Sequence, residues 1–381
     1  MKTRKFFGFL MILASGFLFL NCTSDPIPGP PGEDGIDGVD GVDGQDGQDG
    51  VSGTASCVAC HNNDLRGEIA AAFETSLHRI GETWEERGFY FGGTSCSKCH
   101  SGLGYEEFIE TGSITPSPDL EVPLSCNSCH SNHDTFDFEN DGPDYALRNT
   151  DPTSLDLAPS INLDFGDASN NCITCHQPRN SYEIPTLNAD GTYVVTSSRF
   201  GPHHGPQSTM LEGILGAEIT FEGAEAYPAA GSAGHRTGSS CVQCHMAESE
   251  DIELGGHSWN VFDDACVRCH PALDEATGFT DDMTTLLALL QQVEGVAYEV
   301  DAETGDPVFD ENGDYIPTTE VVVGIIRPGS ESSTNSGIFS DVAAMAAWNY
   351  KSVYEDQSKG IHNPNYTKAL LKNSIQALQN E

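Results

Sequence analysis

The chain has 381 residues and is strongly acidic, with 58 Asp and Glu against 17 Lys and Arg and a formal net charge of −41 at pH 7. Such a surface repels nucleic acids and anionic membranes, and we exclude nucleic acid as a partner. It suits cations, basic proteins and mineral or metal-ion acceptors, although a simple solvated surface explains the charge equally well.

The N-terminal residues predict an export signal. Met1–Lys5 is basic, and Phe6–Leu20 is apolar but too short to span a bilayer comfortably. Cys22 follows directly and resembles the lipidated cysteine that becomes the mature N-terminus of bacterial lipoproteins. Asn21 stands where that pattern has a small residue, so an ordinary signal peptide with an incidental cysteine is the alternative. We expect a signal peptide over 1–21 and an outer-membrane lipid anchor at Cys22, on the cell surface or on the periplasmic face.

Glycine recurs at every third position from Gly29 to Gly53. The repeat resembles a bacterial collagen-like segment, because only glycine fits the axis of a triple helix. Proline is absent from the repeat after Pro31, and three aligned chains would stack an Asp at successive triplets. A stiff polar tether is therefore the alternative to a triple helix. In both cases 22–53 connects the anchor to a separate domain at 54–381.

The pattern Cys-x-x-Cys-His occurs six times in 54–381 and uses 12 of the 13 cysteines. We number these motifs 1 to 6 in chain order. Their cysteine pairs are Cys57 and Cys60, Cys96 and Cys99, Cys126 and Cys129, Cys172 and Cys175, Cys241 and Cys244, and Cys266 and Cys269. In c-type haem attachment two such thiols form thioethers with one porphyrin, and the adjacent imidazole binds the iron. The candidate proximal ligands are His61, His100, His130, His176, His245 and His270.

Three other cysteine chemistries fit the pattern less well. Disulfides do not require the histidine that follows every second cysteine. Zinc sites need ligands in fours, and thioredoxin-like chemistry needs one motif in a βαβ unit. We therefore predict six covalently bound haem c groups, each with its iron.

The spacing of the motifs indicates a shared core. Successive motifs start 39, 30, 46, 69 and 25 residues apart, which is too close for each haem to have its own domain and too uneven for a repeat protein. Residues 111–235 are rich in Gly, Pro, Asp and Asn, which predicts loops with short helices.

The C-terminal part predicts longer helices. One is expected over Met283–Val293, a second from the cap at Ser340 to a stop at Gly360, and a third from Asn363–Pro364. Between the first two, Val308–Ile316 predicts a β-hairpin. Its acidic residues could bind calcium, but they depart from the full EF-hand pattern, and a plain hairpin is favoured.

A second set of histidines is available for the distal face of each iron. Seven of the 13 histidines lie outside the motifs, and six haems with two imidazoles each would need six of them. The distal candidates are His78, His133, His203, His204, His235, His257 and His362. The weaker alternatives are methionines, namely Met210, Met246, Met283 and Met345. Because Gly-Pro flanks His203 and His204 on both sides, we expect both to ligate, at different haems.

The surroundings of these histidines resemble the multihaem cytochromes c, over about residues 57–372. The resemblance is carried by Ser76-Leu-His78, Cys126-Asn-Ser-Cys-His-Ser-Asn-His133, Gly201-Pro-His-His204, Gly234-His235, Gly255-Gly-His257-Ser-Trp259 and Gly360-Ile-His-Asn-Pro364. The family includes outer-surface hexahaem electron carriers, some of which form filaments, and the nitrite reductase and octahaem enzymes. The collagen-like segment is not part of its pattern.

The resemblance implies a fold, a ligand set and a function. The fold class is a multihaem cytochrome c: irregular loops and short helices around a chain of haems, with longer C-terminal helices and a small β-hairpin. The non-motif histidines are implied to be distal ligands. Redox proteins or extracellular acceptors are the expected partners, and the collagen-like segment or haem stacking could form a homo-oligomer.

Two functions follow from the family. A carrier needs both axial positions of every iron filled, whereas a reductase needs one open position. No motif has the Cys-x-x-Cys-Lys form of the ammonia-forming nitrite reductases, and the distal candidates outnumber the haems. We therefore expect a non-catalytic electron carrier outside the cytoplasm. The alternative is a multihaem reductase of a small nitrogen or sulfur oxyanion with one open haem. A trimeric adhesin would leave six cofactors unexplained.

Overall fold

The computed structural model describes residues 55–80, 94–120, 122–142, 144–179, 182–202, 205–271 and 278–381. The predicted signal peptide, Cys22, the predicted collagen-like segment, His203 and His204 lie outside the described residues. No helix within the described ranges is long and apolar enough to cross a bilayer.

Each of the six motifs begins on a short helix. In a helical turn the two cysteines and the histidine, at positions i, i+3 and i+4, share one face, as attachment to a single porphyrin requires. The helices of the first half are α1 (Ala55–Cys60), α2 (Asn63–Thr75), α3 (Leu77–Ile80), α4 (Thr94–His100), α5 (Gly102–Thr111), α6 (Cys126–Cys129) and α7 (Asn170–Ile173).

The middle of the chain continues with short elements joined by loops. Two-residue strands β1 (Thr153–Ser154) and β2 (Asn162–Leu163) pair antiparallel. The helices that follow are α8 (Gln207–Glu212), α9 (Gly234–Gly238), α10 (Cys241–His245) and α11 (Asp263–Val267). Two single 3₁₀ turns occupy Pro118–Leu120 and Gly256–Ser258. The prediction of loops with short helices is confirmed.

Four antiparallel strands form a sheet that is larger than the predicted hairpin. The strands are β3 (Thr192–Val195), β4 (Glu294–Tyr298), β5 (Pro317–Val323) and β6 (Gly337–Ser340), in the order β3-β6-β4-β5. Between β4 and β5 the chain forms the expected hairpin, with Phe309 bridged to Tyr315. The sequence did not indicate β3 and β6, because each has four residues and they pair across a long separation along the chain.

The acidic turn of this hairpin uses its carboxylate internally. Oδ1 of Asp310 accepts hydrogen bonds from the backbone N–H groups of Asn312 and Asp314, at 2.8 and 2.9 Å. Within the described ranges no group of three His, Cys, Asp or Glu side chains is placed to hold a metal ion. The turn is therefore explained as a hairpin, and calcium stays a prediction without structural support.

Three long helices complete the chain, as the sequence predicts. They are α12 (Phe279–Leu290), α13 (Asp341–Asp356) and α14 (Pro364–Gln379). The side chain of Ser340 caps α13 by accepting the N–H of Ala343 at 3.0 Å, and the side chain of Asn363 caps α14. The predicted end of α13 at Gly360 is too late, because the chain leaves the helix at Gln357 in a left-handed conformation.

The main apolar core lies where these helices pack with the sheet. Trp348, Tyr366 and Phe200 are fully buried there. Met210 and Met345, which are two of the alternative methionine ligands, are also buried in this core. Among the described residues of the motif-rich first half, a small separate cluster includes Leu155 and Ile173.

Candidate haem sites

Among the described residues, five motif histidines each face a histidine from outside the motifs. The ring centroids are 5.8 to 6.3 Å apart in all five pairs. The pairs are His61 with His133, His130 with His257, His176 with His78, His245 with His362, and His270 with His235. Two imidazoles bound to opposite faces of one metal ion, at about 2 Å each, put their centroids about 6 Å apart. Each pair therefore fits one haem iron between its two rings.

The pairing does not follow proximity in the sequence. His133 lies three residues after the motif 3 histidine, His130, but faces His61 of motif 1. His130 instead faces His257, from the segment between motifs 5 and 6. Distant segments are thus joined through their ligands, which is how covalent cofactors can organise a chain with few long elements.

In several candidate ligands the ring nitrogen Nδ1 lies within hydrogen-bond distance of a backbone carbonyl oxygen. Nδ1 of His130 lies 2.8 Å from the carbonyl oxygen of Tyr145, and Nδ1 of His245 lies 3.0 Å from that of Trp259. The Nδ1 of His235 likewise meets a backbone carbonyl. Because a carbonyl only accepts, Nδ1 carries the proton in these rings, which leaves the Nε2 lone pair for the metal.

Burial favours the neutral, metal-binding form of four of these imidazoles. Desolvation, with smaller effects from His176 and His245, lowers the pKa of His78 to about 3. Desolvation also lowers the pKa values of His176, His245 and His257. Neutral imidazole is the form that binds a metal ion.

His362 differs from these four. Burial alone would lower its pKa, but the Asp356 carboxylate, whose Oδ1 lies 2.6 Å from Nδ1 of His362, raises the pKa overall. Nδ1 of His362 therefore donates its hydrogen bond to an anionic acceptor.

The motif 2 histidine, His100, has two remaining candidates for one iron. The five pairs use all of the non-motif histidines except His203 and His204, which lie outside the described residues. Within one chain only one of them would be needed at His100. Ligation of different haems by both stays a prediction.

Side chains beside the motifs also suit a porphyrin. Val58 in motif 1, Leu77 next to His78, and Val267 in motif 6 are 52%, 73% and 49% exposed in the polypeptide. These are apolar side chains that a large apolar ring would cover. The described cysteines form no disulfide. The donor set therefore fits covalent haem, whose iron supplies reversible one-electron chemistry.

Motif 4 is adjacent to two other motifs. Sγ of Cys99 in motif 2 lies 3.7 Å from the carbonyl oxygen of Thr174, inside motif 4. The Oγ atoms of Ser169 and Ser240, which precede motifs 4 and 5, are 2.7 Å apart. Motifs 2 and 5 are thus both in contact with the segment that carries motif 4.

Sequence reasoning missed three residues that support the ligands: Gln207, Trp259 and Asp356. The Gln207 side chain contacts Nδ1 of His176 at 3.2 Å. Trp259 lies in a segment that the sequence singled out only for His257. Nothing in the sequence indicates a role for Asp356, because its contact with His362 depends on how the end of α13 packs in the folded chain.

Comparisons with known proteins also indicate covalent haem c. The family model of cytochrome c7 and related cytochrome c matches residues 83–186, which contain motifs 2, 3 and 4. The C-type polyheme cytochrome OmcB of Geobacter sulfurreducens, from two strains, is 24% identical over 333 residues, which cover 74% of this chain and 43% of the relative. The chain thus spans less than half the length of these relatives.

Two solved structures are also similar. The outer cell wall cytochrome OcwA has a TM-score of 0.45 and 19% identity, over 81% of this chain and 50% of that one. The undecaheme cytochrome from the S-layer of Carboxydothermus ferrireducens has a TM-score of 0.44 and 17% identity, over 81% and 40%. The motifs, the donor set and the family match define a haem protein with several covalent haem c groups. The chain matches the family of cytochrome c7 and related cytochrome c over residues 83–186 and resembles the multihaem c-type cytochromes in its repeated motifs.

Proposed function

We propose that this protein carries electrons through six covalently bound haem c groups at the outer surface of the cell. The observation that supports this most is the set of five imidazole pairs, each with one motif histidine and one non-motif histidine. Cys22 would anchor the chain in the outer membrane, and 22–53 would hold the haem domain away from the lipid.

Filled axial positions favour a carrier over an enzyme. An iron with two imidazoles has no position for a substrate, and its coordination changes little between the ferric and ferrous states. The acidic surface favours cationic, basic or mineral redox partners. The export signal agrees with this placement, since haem c is attached after export.

Intact mass spectrometry and electron paramagnetic resonance test the proposal together. Protein matured with a cytochrome c assembly system should carry six haem mass increments, and its oxidised spectrum should be dominated by low-spin ferric iron. Four or five increments would contradict the haem count. Dominant high-spin signals would contradict ligation by two imidazoles.

The reductase alternative requires one iron with an open axial position. A high-spin signal that shifts with nitrite, hydroxylamine or sulfite, and turnover of one of them by reduced protein, would favour the enzyme. Unchanged spectra with all three would favour the carrier.

A further inference from the structure

Trp259 contacts candidate ligands of three different haem sites. Its indole ring lies 4.5 Å from the ring of His78 at an interplanar angle of 83°, and 5.4 Å from the ring of His257 at 69°. Its carbonyl oxygen lies 3.0 Å from Nδ1 of His245. These three histidines belong to the sites of motifs 4, 3 and 5, respectively.

The backbone around Trp259 is tightly fixed. Trp259 itself has φ 57°, in the left-handed region that is uncommon for an aromatic residue. The preceding Gly255 has φ 60°, and a Cβ there would collide with the carbonyl oxygen of Ala247. The N–H of Gly256 donates to that same carbonyl at 3.1 Å. Surrounding structure therefore holds Trp259 in an unfavourable conformation, which makes its position well defined.

Among the described residues, other aromatic side chains near candidate ligands contact fewer sites. Phe136 and Phe138 each contact His133, the ligand of a single site. Phe73 in α2 lies 6.1 Å from the indole of Trp259. Trp259 is thus distinguished by touching three sites rather than by being near one.

We propose that Trp259 is a junction of the haem chain: it positions one axial imidazole at each of three sites and couples two of them through its indole. This rests on the haem assignment proposed above. The indole would link the sites of motifs 3 and 4, because it contacts a ligand of each. One electron leaves the reduced site as it arrives at the oxidised one, and the indole is unchanged, so no further reactant is required.

Trp259→Asn removes the indole ring and keeps the backbone carbonyl, so it distinguishes the contacts made by the ring from the contact made by the carbonyl. Asparagine accepts positive φ better than most residues, so the backbone carbonyl that binds His245 should stay in place. The holoprotein should retain its haems. The paramagnetic resonance signals of the motif 3 and motif 4 sites should shift, whereas that of the motif 5 site should not. The signals are assigned beforehand from His257→Met, His78→Met and His362→Met.

The coupling is measured as the rate at which electrons redistribute among the haems after a rapid reducing pulse. In Trp259→Asn this rate should fall about tenfold, the lower end of what loss of a partner outside the metal ligands costs. Trp259→Phe keeps an aromatic ring and should recover most of the rate. Phe136→Leu is the matched control, because it should shift at most one signal and leave the rate unchanged.

Each other outcome overturns the proposal. Unchanged signals and rate in Trp259→Asn would show that the indole does nothing for these sites. Equal shifts of all signals, or a loss of rate that Trp259→Phe does not recover, would show a merely structural role. Failure of the haem assignment itself would be seen first in the wild-type protein, as a wrong haem count or dominant high-spin iron.

Discussion

At the scale of single residues, a buried carboxylate distinguishes the site of His245 and His362. Asp356 is 1% exposed at its side chain, and its Oδ1 accepts a hydrogen bond from Nδ1 of His362 at 2.6 Å. An anionic acceptor makes the imidazole a stronger donor to iron and stabilises the ferric state. Asp356→Asn should therefore raise the potential of this haem by on the order of 60 mV, about one tenfold change in a one-electron equilibrium.

Spectroelectrochemical titration of the holoprotein measures this change. One component should move to higher potential, and the others should move little. Asp282→Asn is the matched control, since it also removes a partly buried carboxylate, one that pairs with Lys372 rather than with a ligand. An unchanged titration, or an equal shift in Asp282→Asn, would contradict the role of Asp356.

His203 and His204 allow a second prediction at this scale. We expect both to ligate, so a single replacement by methionine, a weaker ligand, should change the signal of a different haem in each variant. Paramagnetic resonance of His203→Met and His204→Met measures this. If only one of the two variants changes a signal, then the two histidines do not ligate different haems.

The histidine pairs show what the sequence could predict about the site. The motif and its chemistry identify each proximal candidate, and counting identifies the distal set. The partners could not be predicted, because a pair such as His78 and His176 meets only when loops from distant segments fold together. The supporting acceptors were also hidden, since a backbone carbonyl such as that of Trp259 leaves no trace in the sequence.

At the scale of elements, α13 is joined to its surroundings by a buried asparagine. Asn349 is 0% exposed, and its side chain bonds both the N–H and the carbonyl oxygen of Ala217 at 2.8 Å. Asn349→Leu would leave both backbone groups unpaired. This should cost about 3 kcal/mol of unfolding free energy, because each buried unpaired polar group costs about 1–3 kcal/mol.

Urea unfolding followed by far-ultraviolet circular dichroism measures this loss. Gln376→Leu on the exposed side of α14 is the control and should change the free energy of unfolding by less than about 0.5 kcal/mol. Equal stability of the two variants would mean that the Asn349 network contributes nothing.

A second network joins the elements that carry motifs 4 and 5. Asp167 accepts hydrogen bonds from the N–H of Ser169 and the hydroxyl of Ser240, each at 2.7 Å. Burial alone would raise the pKa of Asp167, but these hydrogen bonds lower it. A lowered pKa in the folded state means that the stabilisation is complete above the unfolded value of about 3.9 and is lost as the pH falls through the folded value.

Asp167→Asn should therefore destabilise the protein by roughly 1 kcal/mol at neutral pH, a modest value for hydrogen bonds to a half-exposed carboxylate. Below about pH 4 the difference from the wild type should shrink. Thermal unfolding across this pH range measures it. A difference that stays constant down to about pH 3 would show that the charge of Asp167 is irrelevant.

The elements themselves were predictable where local signals are strong. Capping residues such as Ser340 and Asn363, followed by apolar residues at helical spacing, predict α13 and α14. The sheet was missed because strand pairing is a property of two distant segments. Thr192–Val195 consists of residues that favour strands, but these four residues alone do not show that they pair with Gly337–Ser340.

At the scale of the whole molecule, the acidic charge should govern electron exchange. The formal charge of −41 attracts cationic reagents and repels anionic ones, and salt screens both effects. Reduced protein should therefore reduce the hexaammineruthenium(III) cation faster at low salt, with the rate falling about tenfold between about 10 mM and about 150 mM ionic strength.

Ferricyanide is the opposite probe, and stopped-flow absorbance follows both reactions. Because ferricyanide is an anion, its reduction should become faster as salt is added. A neutral quinone should show little dependence and serves as the control. If salt changes the two reaction rates in opposite directions, acidic surface lies at the points where electrons leave the haems. If salt changes both rates equally, the charge is remote from those points and serves solubility alone.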